Sequence, residues 1–195
     1  MPGSSVTTTI FFAPSASTWR VISGTVNGPA GISSSGALTP RPSAGSATTL
    51  TFGGNLTLAR ASANFTLSSS AAGSNDKVNY GSSSTLTLDN TDTINITGAT
   101  LDTTTDYTLF TSTGGTVSMA TTPTLKINGV TSDQTSTGNY KLQISGDGHS
   151  LLLHYIASAT PPTVNAASAS TTSLGHYQTT TVSVNVAKHD AVDKI

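Results

Sequence analysis

The chain has 195 residues, of which only 9% are charged; its net charge is -1, all its acids are Asp, and it contains no Cys. Because a soluble domain usually has about 25% charged residues, its polarity comes instead from Ser and Thr, which make up about a third of the chain. The Lys and Arg residues are scattered, which argues against nucleic acid as a partner. The lack of Cys excludes disulfides and thiolate metal sites. No apolar run approaches the ~20 residues that a membrane-spanning helix needs.

The first 48 residues are rich in Gly, Pro, Ser and Ala and are predicted to form an N-terminal cap or edge. Strand candidates lie at residues 7–12 and 19–26, and a loop is predicted over residues 31–47. Trp19, the only Trp, has two interpretations. It anchors this cap, or its ring is a platform on which a sugar stacks.

Residues 49–157 form the predicted body, in which short segments alternate apolar residues with Thr or Ser. This period of two predicts strands with one buried and one solvated face, so we expect an all-β protein. The segments are Leu50–Phe52, Leu56–Leu58, Phe65–Leu67, Leu86–Leu88, Ile94–Ile96, Leu125–Ile127 and Leu151–Leu153. They recur about every 8 to 15 residues between turn residues, a spacing that permits a sandwich, a barrel or a solenoid.

Residues 158–195 differ in texture from the body. A Pro-Pro linker at 159–163 precedes small polar residues and one further strand pattern at Val182–Val186. We expect this region to be part of a truncated module, and the chain to be a fragment of a longer protein. Its N-terminus lacks the basic and apolar regions of a signal peptide.

Several pieces of the body occur in a characteristic order: Ser74–Val78, Leu86–Leu88, Ala99–Leu101, Asp106–Thr111 and Gly146–Leu153. This order resembles the C-terminal part of bacterial autotransporter-associated β-strand repeat proteins. The similarity spans roughly residues 50–155, with a longer insertion expected at 116–137. The resemblance implies a secreted or cell-surface protein whose repeats form a β-solenoid stalk, and it implies no enzymatic activity.

The predicted fold is therefore an all-β, right-handed parallel β-solenoid (β-helix) with capping ends, and a β-sandwich is the alternative. The search for catalytic residues favours a non-catalytic protein. Ser150 lacks the second Gly of a nucleophile elbow, and the acid pair Asp102 and Asp106 lies in a Thr-rich segment typical of solvated turns.

Calcium is the ion that the scattered Asp residues suit best, because it prefers hard oxygen ligands. Asp89 and Asp92 are the candidate ligands, although their spacing also fits Asx-turns that end strands. No other cofactor is expected.

Three functions stay open from the sequence. The leading hypothesis is a structural or adhesive module of an exported or cell-surface protein. The first alternative is a carbohydrate-binding or carbohydrate-active β-helix, with polysaccharide or cell-surface glycans contacted by Trp19, Tyr80, Tyr107 and Tyr140. The second alternative is an extracellular filament subunit that self-associates by strand addition through a segment such as 179–186.

Overall fold

The computed structural model describes residues 24–33, 35–40, 47–158, 164–169 and 182–186, and these ranges contain strands but no helix. Two compact units, residues 1–157 and 158–195, divide the chain. The strands of the first unit are β1 (Gly24–Val26), β2 (Ala30–Ser33), β3 (Ala37–Leu38), β4 (Thr49–Phe52), β5 (Leu56–Ala59), β6 (Ser62–Thr66), β7 (Lys77–Asn79), β8 (Thr85–Leu88), β9 (Thr93–Thr97), β10 (Tyr107–Thr111), β11 (Thr116–Met119), β12 (Thr124–Ile127), β13 (Val130–Thr131), β14 (Tyr140–Ile144) and β15 (Ser150–Tyr155). Those of the second are β16 (Val164–Ala169) and β17 (Val182–Val186).

The first unit contains three sheets, and the chain visits them in a fixed order. Sheet A has the order β1-β4-β7-β10-β15-β14, sheet B has β2-β5-β8-β11, and sheet C has β3-β6-β9-β12-β13. From β1 to β12 the chain passes through A, B and C four times, and we call each passage a coil. Neighbouring strands of successive coils are parallel. This pairing is compatible with a β-helix, and it differs from the antiparallel sheets of a β-sandwich.

In sheets B and C the pairing register gives the third and fourth coils the same spacing. Thr85 on β8 lies opposite Thr116 on β11, 31 residues later. The third and fourth coils keep the same spacing in sheet C, where Thr93 lies opposite Thr124. Equivalent residues therefore stack directly on one another from coil to coil.

Apolar residues of the alternating pattern face inward and form one core. Leu56, Leu86 and Ile94 are fully buried, like most of the apolar positions that the sequence pattern identified. The rings of Phe65 and Phe110 meet edge to face, with centroids 5.2 Å apart. The buried residues form one cluster that extends through the coils. Burying each large apolar side chain contributes about 1.5–3 kcal/mol to folding.

The C-terminal end of the first unit is built from antiparallel strands. β13 folds back on β12 through a two-residue turn, and β15 pairs antiparallel with both β10 and β14. At that turn Asn128 and Gly129 have φ values of 50° and 83°, the positive values that a type I′ hairpin turn requires. The segment 116–137, where the resemblance implies an insertion, contains β11, β12 and β13, of which β11 and β12 are in register with the preceding coil.

Two other regional predictions can be compared with the structure. The loop predicted over 31–47 is wrong in part, because β2 and β3 lie within or across it and pair with β5 and β6. In the second unit the strand predicted at Val182–Val186 is confirmed as β17, which pairs antiparallel with β16. The strand candidate at 7–12 lies outside the described residues. Within the described ranges, the structure contains no helix long and apolar enough to cross a membrane.

Candidate functional site

Two of the four predicted sugar-contact residues lie inside the core. Tyr107 is 1% exposed, its hydroxyl donates to the Ser68 carbonyl at 2.7 Å, and it accepts from the Asp102 amide at 2.7 Å. Tyr80 is 4% exposed, and its hydroxyl donates to the His149 carbonyl at 2.8 Å. Neither ring can stack on a sugar, so the assignment of these two residues as carbohydrate contacts is corrected. Both tyrosines occupy apolar positions of the period-two pattern, which predicts burial. They were nevertheless proposed as surface contacts because an aromatic ring can stack on a sugar.

Tyr140 is the third predicted contact residue and is only partly buried. Its ring lies 5.1 Å from that of Tyr155, and its hydroxyl donates to the Asp102 carbonyl at 3.1 Å. Burial, followed by the neighbouring Tyr107, Tyr155 and Asp102, raises the pKa of Tyr140 to about 12. Trp19, the fourth contact residue, lies outside the described residues. Tyr140 is therefore the contact candidate that the structure leaves partly accessible.

Asp92, one of the two predicted calcium ligands, is fully buried. One carboxylate oxygen accepts from the Ala61 amide of the preceding coil, and the other accepts from the Asp89 amide, both at 3.0 Å. Asp89 itself accepts from the Thr91 amide at 2.7 Å, and the pKa of its carboxyl is lowered by the hydrogen bonds from Thr91. This is an Asx-turn joined to the preceding coil, so the structure corrects the calcium assignment. Among the described residues no group of three or more His, Asp or Glu is placed to hold a metal ion.

Asp76 has the same role at another corner. It is fully buried, its Oδ2 accepts from the Thr66 amide at 2.7 Å, and its Oδ1 accepts from the Thr48 amide at 3.3 Å. One buried carboxylate therefore accepts from two backbone amides that are 18 residues apart in the chain. The buried Asp residues therefore tie strand ends together, a role that the sequence did not distinguish from solvated turns.

A row of polar side chains runs across sheet C on its outer face. Asn95 donates through Nδ2 to the Oδ1 of Asn64 at 2.8 Å, and Asn64 donates through Nδ2 to the Thr39 hydroxyl at 3.0 Å. Both Asn residues occupy the same register position, so one side-chain amide stacks on the next. The 31-residue recurrence of Asn between apolar neighbours is the signal that could have identified this ladder.

The Asp106 and His154 side chains meet beside the neighbouring strands β10 and β15 of sheet A. The imidazole Nδ1 lies 2.8 Å from the Asp106 Oδ1, and each side chain is 35% exposed. In the sheet register His154 also lies opposite Lys141 of β14. The pair joins β15 to the start of β10, and the hydrogen bonds of the described residues bring no hydroxyl nucleophile to this imidazole. We interpret this pair as a contact that fastens β15 to β10.

No protein-family model, curated protein or solved structure matches the chain. The resemblance to autotransporter-associated repeats therefore stays a prediction from the order of the sequence pieces. What the geometry provides is a stack of polar and apolar rows with little reactive chemistry on the described surface.

Proposed function

We propose that this chain is a structural, non-catalytic module: a segment of a right-handed parallel β-solenoid within an exported or cell-surface repeat protein. The observation that carries the proposal is the repeated passage through sheets A, B and C with parallel strands in register. A stack of this kind grows in one direction while its cross-section stays constant. Such a shape suits a stalk or spacer that holds other parts of a protein away from a surface.

The chemistry of the outward positions supports this role. In sheet B the side chains that alternate with the core residues are small and uncharged, as at Thr57, Thr87 and Ser118, which lie at one register position. Hydroxyl groups keep such a surface hydrated without strong attraction for charged partners. Rigidity comes from the backbone ladders, and the buried carboxylates of Asp76 and Asp92 connect successive segments.

The two alternatives have less support. A carbohydrate-binding module retains Tyr140 as its partly exposed aromatic residue, because Tyr80 and Tyr107 are buried. A filament that grows by strand addition through 179–186 must use the edge of β17 opposite β16, an edge that no other strand of the described residues occupies. Polysaccharide binding and self-association therefore remain the alternative proposals.

The test of the proposed function is the location of the protein in the cells that make it. Intact cells are treated with a protease that cannot enter them, and the protein is then detected with an antibody against residues 47–158. The proposal expects the epitope on the surface or in the medium, where protease removes it before lysis. Recovery of all the protein in the cytosol, protected until the cells are broken, contradicts an exported stalk. Cytosolic loading controls establish that the cells stayed intact.

A further inference from the structure

The sequence contains two Asn-Gly dipeptides, Asn27–Gly28 and Asn128–Gly129. In this dipeptide the backbone nitrogen of Gly can attack Cγ of the Asn side chain, because Gly has no side chain to hinder the approach. A C–N bond forms, the side-chain nitrogen leaves as ammonia, and a succinimide remains. Water then opens the ring to aspartate or isoaspartate. The reaction needs only water, so local structure decides which dipeptide reacts.

Asn128 is held away from this reaction. Its Oδ1 accepts from the Gly98 amide at 3.1 Å, and its Nδ2 donates to the Gly98 carbonyl at 2.8 Å. The two bonds attach the whole side-chain amide to the backbone of the preceding coil. Attack by Gly129 requires both bonds to break, and the leaving nitrogen is itself one of the bonded atoms.

Asn27 has the same sequence signal and none of this protection. It lies in the connection between β1 and β2 and is exposed, and its side chain makes no hydrogen bond within the described residues. Gly28 has φ of +125°, a conformation that favours Gly. The side-chain amide is therefore free to turn toward the Gly28 nitrogen.

We propose that Asn27 is a deamidation site, and that the paired hydrogen bonds to Gly98 protect Asn128 from the same reaction. The position of Asn27 gives the modification a structural consequence. A Cβ added to Gly53 would lie 3.2 Å from the Gly28 nitrogen and 3.5 Å from the Asn27 Cα, so this corner lies directly on the next coil. Isoaspartate adds one methylene to the backbone at that contact, and either product adds a negative charge.

The test uses the full-length chain, incubated folded in mildly alkaline buffer and sampled over time. Peptide mapping by mass spectrometry measures replacement of the amide at each site, and an isoaspartyl methyltransferase reports isoaspartate. We expect conversion at Asn27 and a rate at Asn128 roughly 30-fold lower, the factor that corresponds to breaking two ordinary hydrogen bonds. In concentrated urea the two rates should become similar, because the contacts to Gly98 are then absent.

A matched variant tests whether the acidic species of the intact protein arises from deamidation at Asn27. Asn27→Gln keeps an amide at the position but closes the five-membered ring far less readily, so the acidic species seen by anion exchange should disappear. Equal rates at the two sites in the folded chain would overturn the proposal. It would be overturned equally if the difference persisted undiminished in urea, because flanking sequence and not structure would then be its cause.

Discussion

Replacing Asp92 with Ala should destabilise the first unit more than any change at the neighbouring Asp89. Asp92 is fully buried, and each of its carboxylate oxygens accepts one backbone N–H at 3.0 Å, from Ala61 and from Asp89. The substitution leaves both amides without an acceptor. A buried donor left unsatisfied costs about 1–3 kcal/mol, so the two together should lower the free energy of unfolding by about 2–6 kcal/mol.

The assay is urea denaturation followed by far-ultraviolet circular dichroism, with the midpoint and slope compared to those of the unmodified chain. Asp89→Ala is the matched control, because Asp89 lies in the same turn but its side chain accepts only from the exposed Thr91 among the described residues. We expect a small shift for the control and a large one for Asp92→Ala. If the two variants unfold at the same urea concentration, the buried carboxylate does not tie the coils together, and the reasoning is refuted.

Two further predictions concern Tyr107 and Tyr140. Tyr107→Phe should cost about 1–3 kcal/mol, because the Ser68 carbonyl and the Asp102 amide lose the hydroxyl between them; an unfolding midpoint equal to that of the unmodified chain would show that this contact contributes nothing. The pKa of Tyr140 is raised from 10.0 to about 12, so its contribution to stability is complete below pH 10 and is lost as the pH rises toward 12. Tyr140→Phe should therefore lose less stability between those pH values in a series of urea titrations; an unchanged pH dependence would count against the perturbed pKa.

Much of the body could be predicted from the sequence because strand alternation is a local property. Leu86 and Leu88 are separated by one Thr, and that spacing alone places both on the buried face. Parallel pairing could not be read in the same way, since it depends on which distant residues become neighbours. The segments β2 and β3 were missed because Gly, Ser and Ala dilute their apolar pattern, although pairing with β5 and β6 stabilises them.

The candidate site was harder to predict because polar residues of one type have opposite environments. Asp89 and Asp92 are three residues apart, yet Asp89 is only half-buried and Asp92 is fully buried. The difference arises from the Ala61 amide, which comes from the preceding coil. Likewise, Tyr80 and Tyr107 can be buried because backbone carbonyls from distant segments accept hydrogen bonds from their hydroxyls.

The central claim, that the body is a stack of interchangeable coils, can be tested by removing one coil. Deleting residues 56–85 joins Asn55 to Leu86, which occupies the register position of Leu56, and removes β5, β6 and β7, one strand from each sheet. The control deletes residues 56–86, which brings Thr87 to that inward position and so reverses the faces of the strand.

Circular dichroism, urea unfolding and small-angle X-ray scattering of the two deletion variants give the most direct measurement. A solenoid predicts that the in-register variant keeps its β spectrum and unfolds cooperatively, while its body shortens by about one strand spacing of 4.7–4.9 Å. The control should lose cooperativity. If the in-register variant unfolds while the control stays folded, or if both behave alike, the coils are not equivalent units and the account is contradicted.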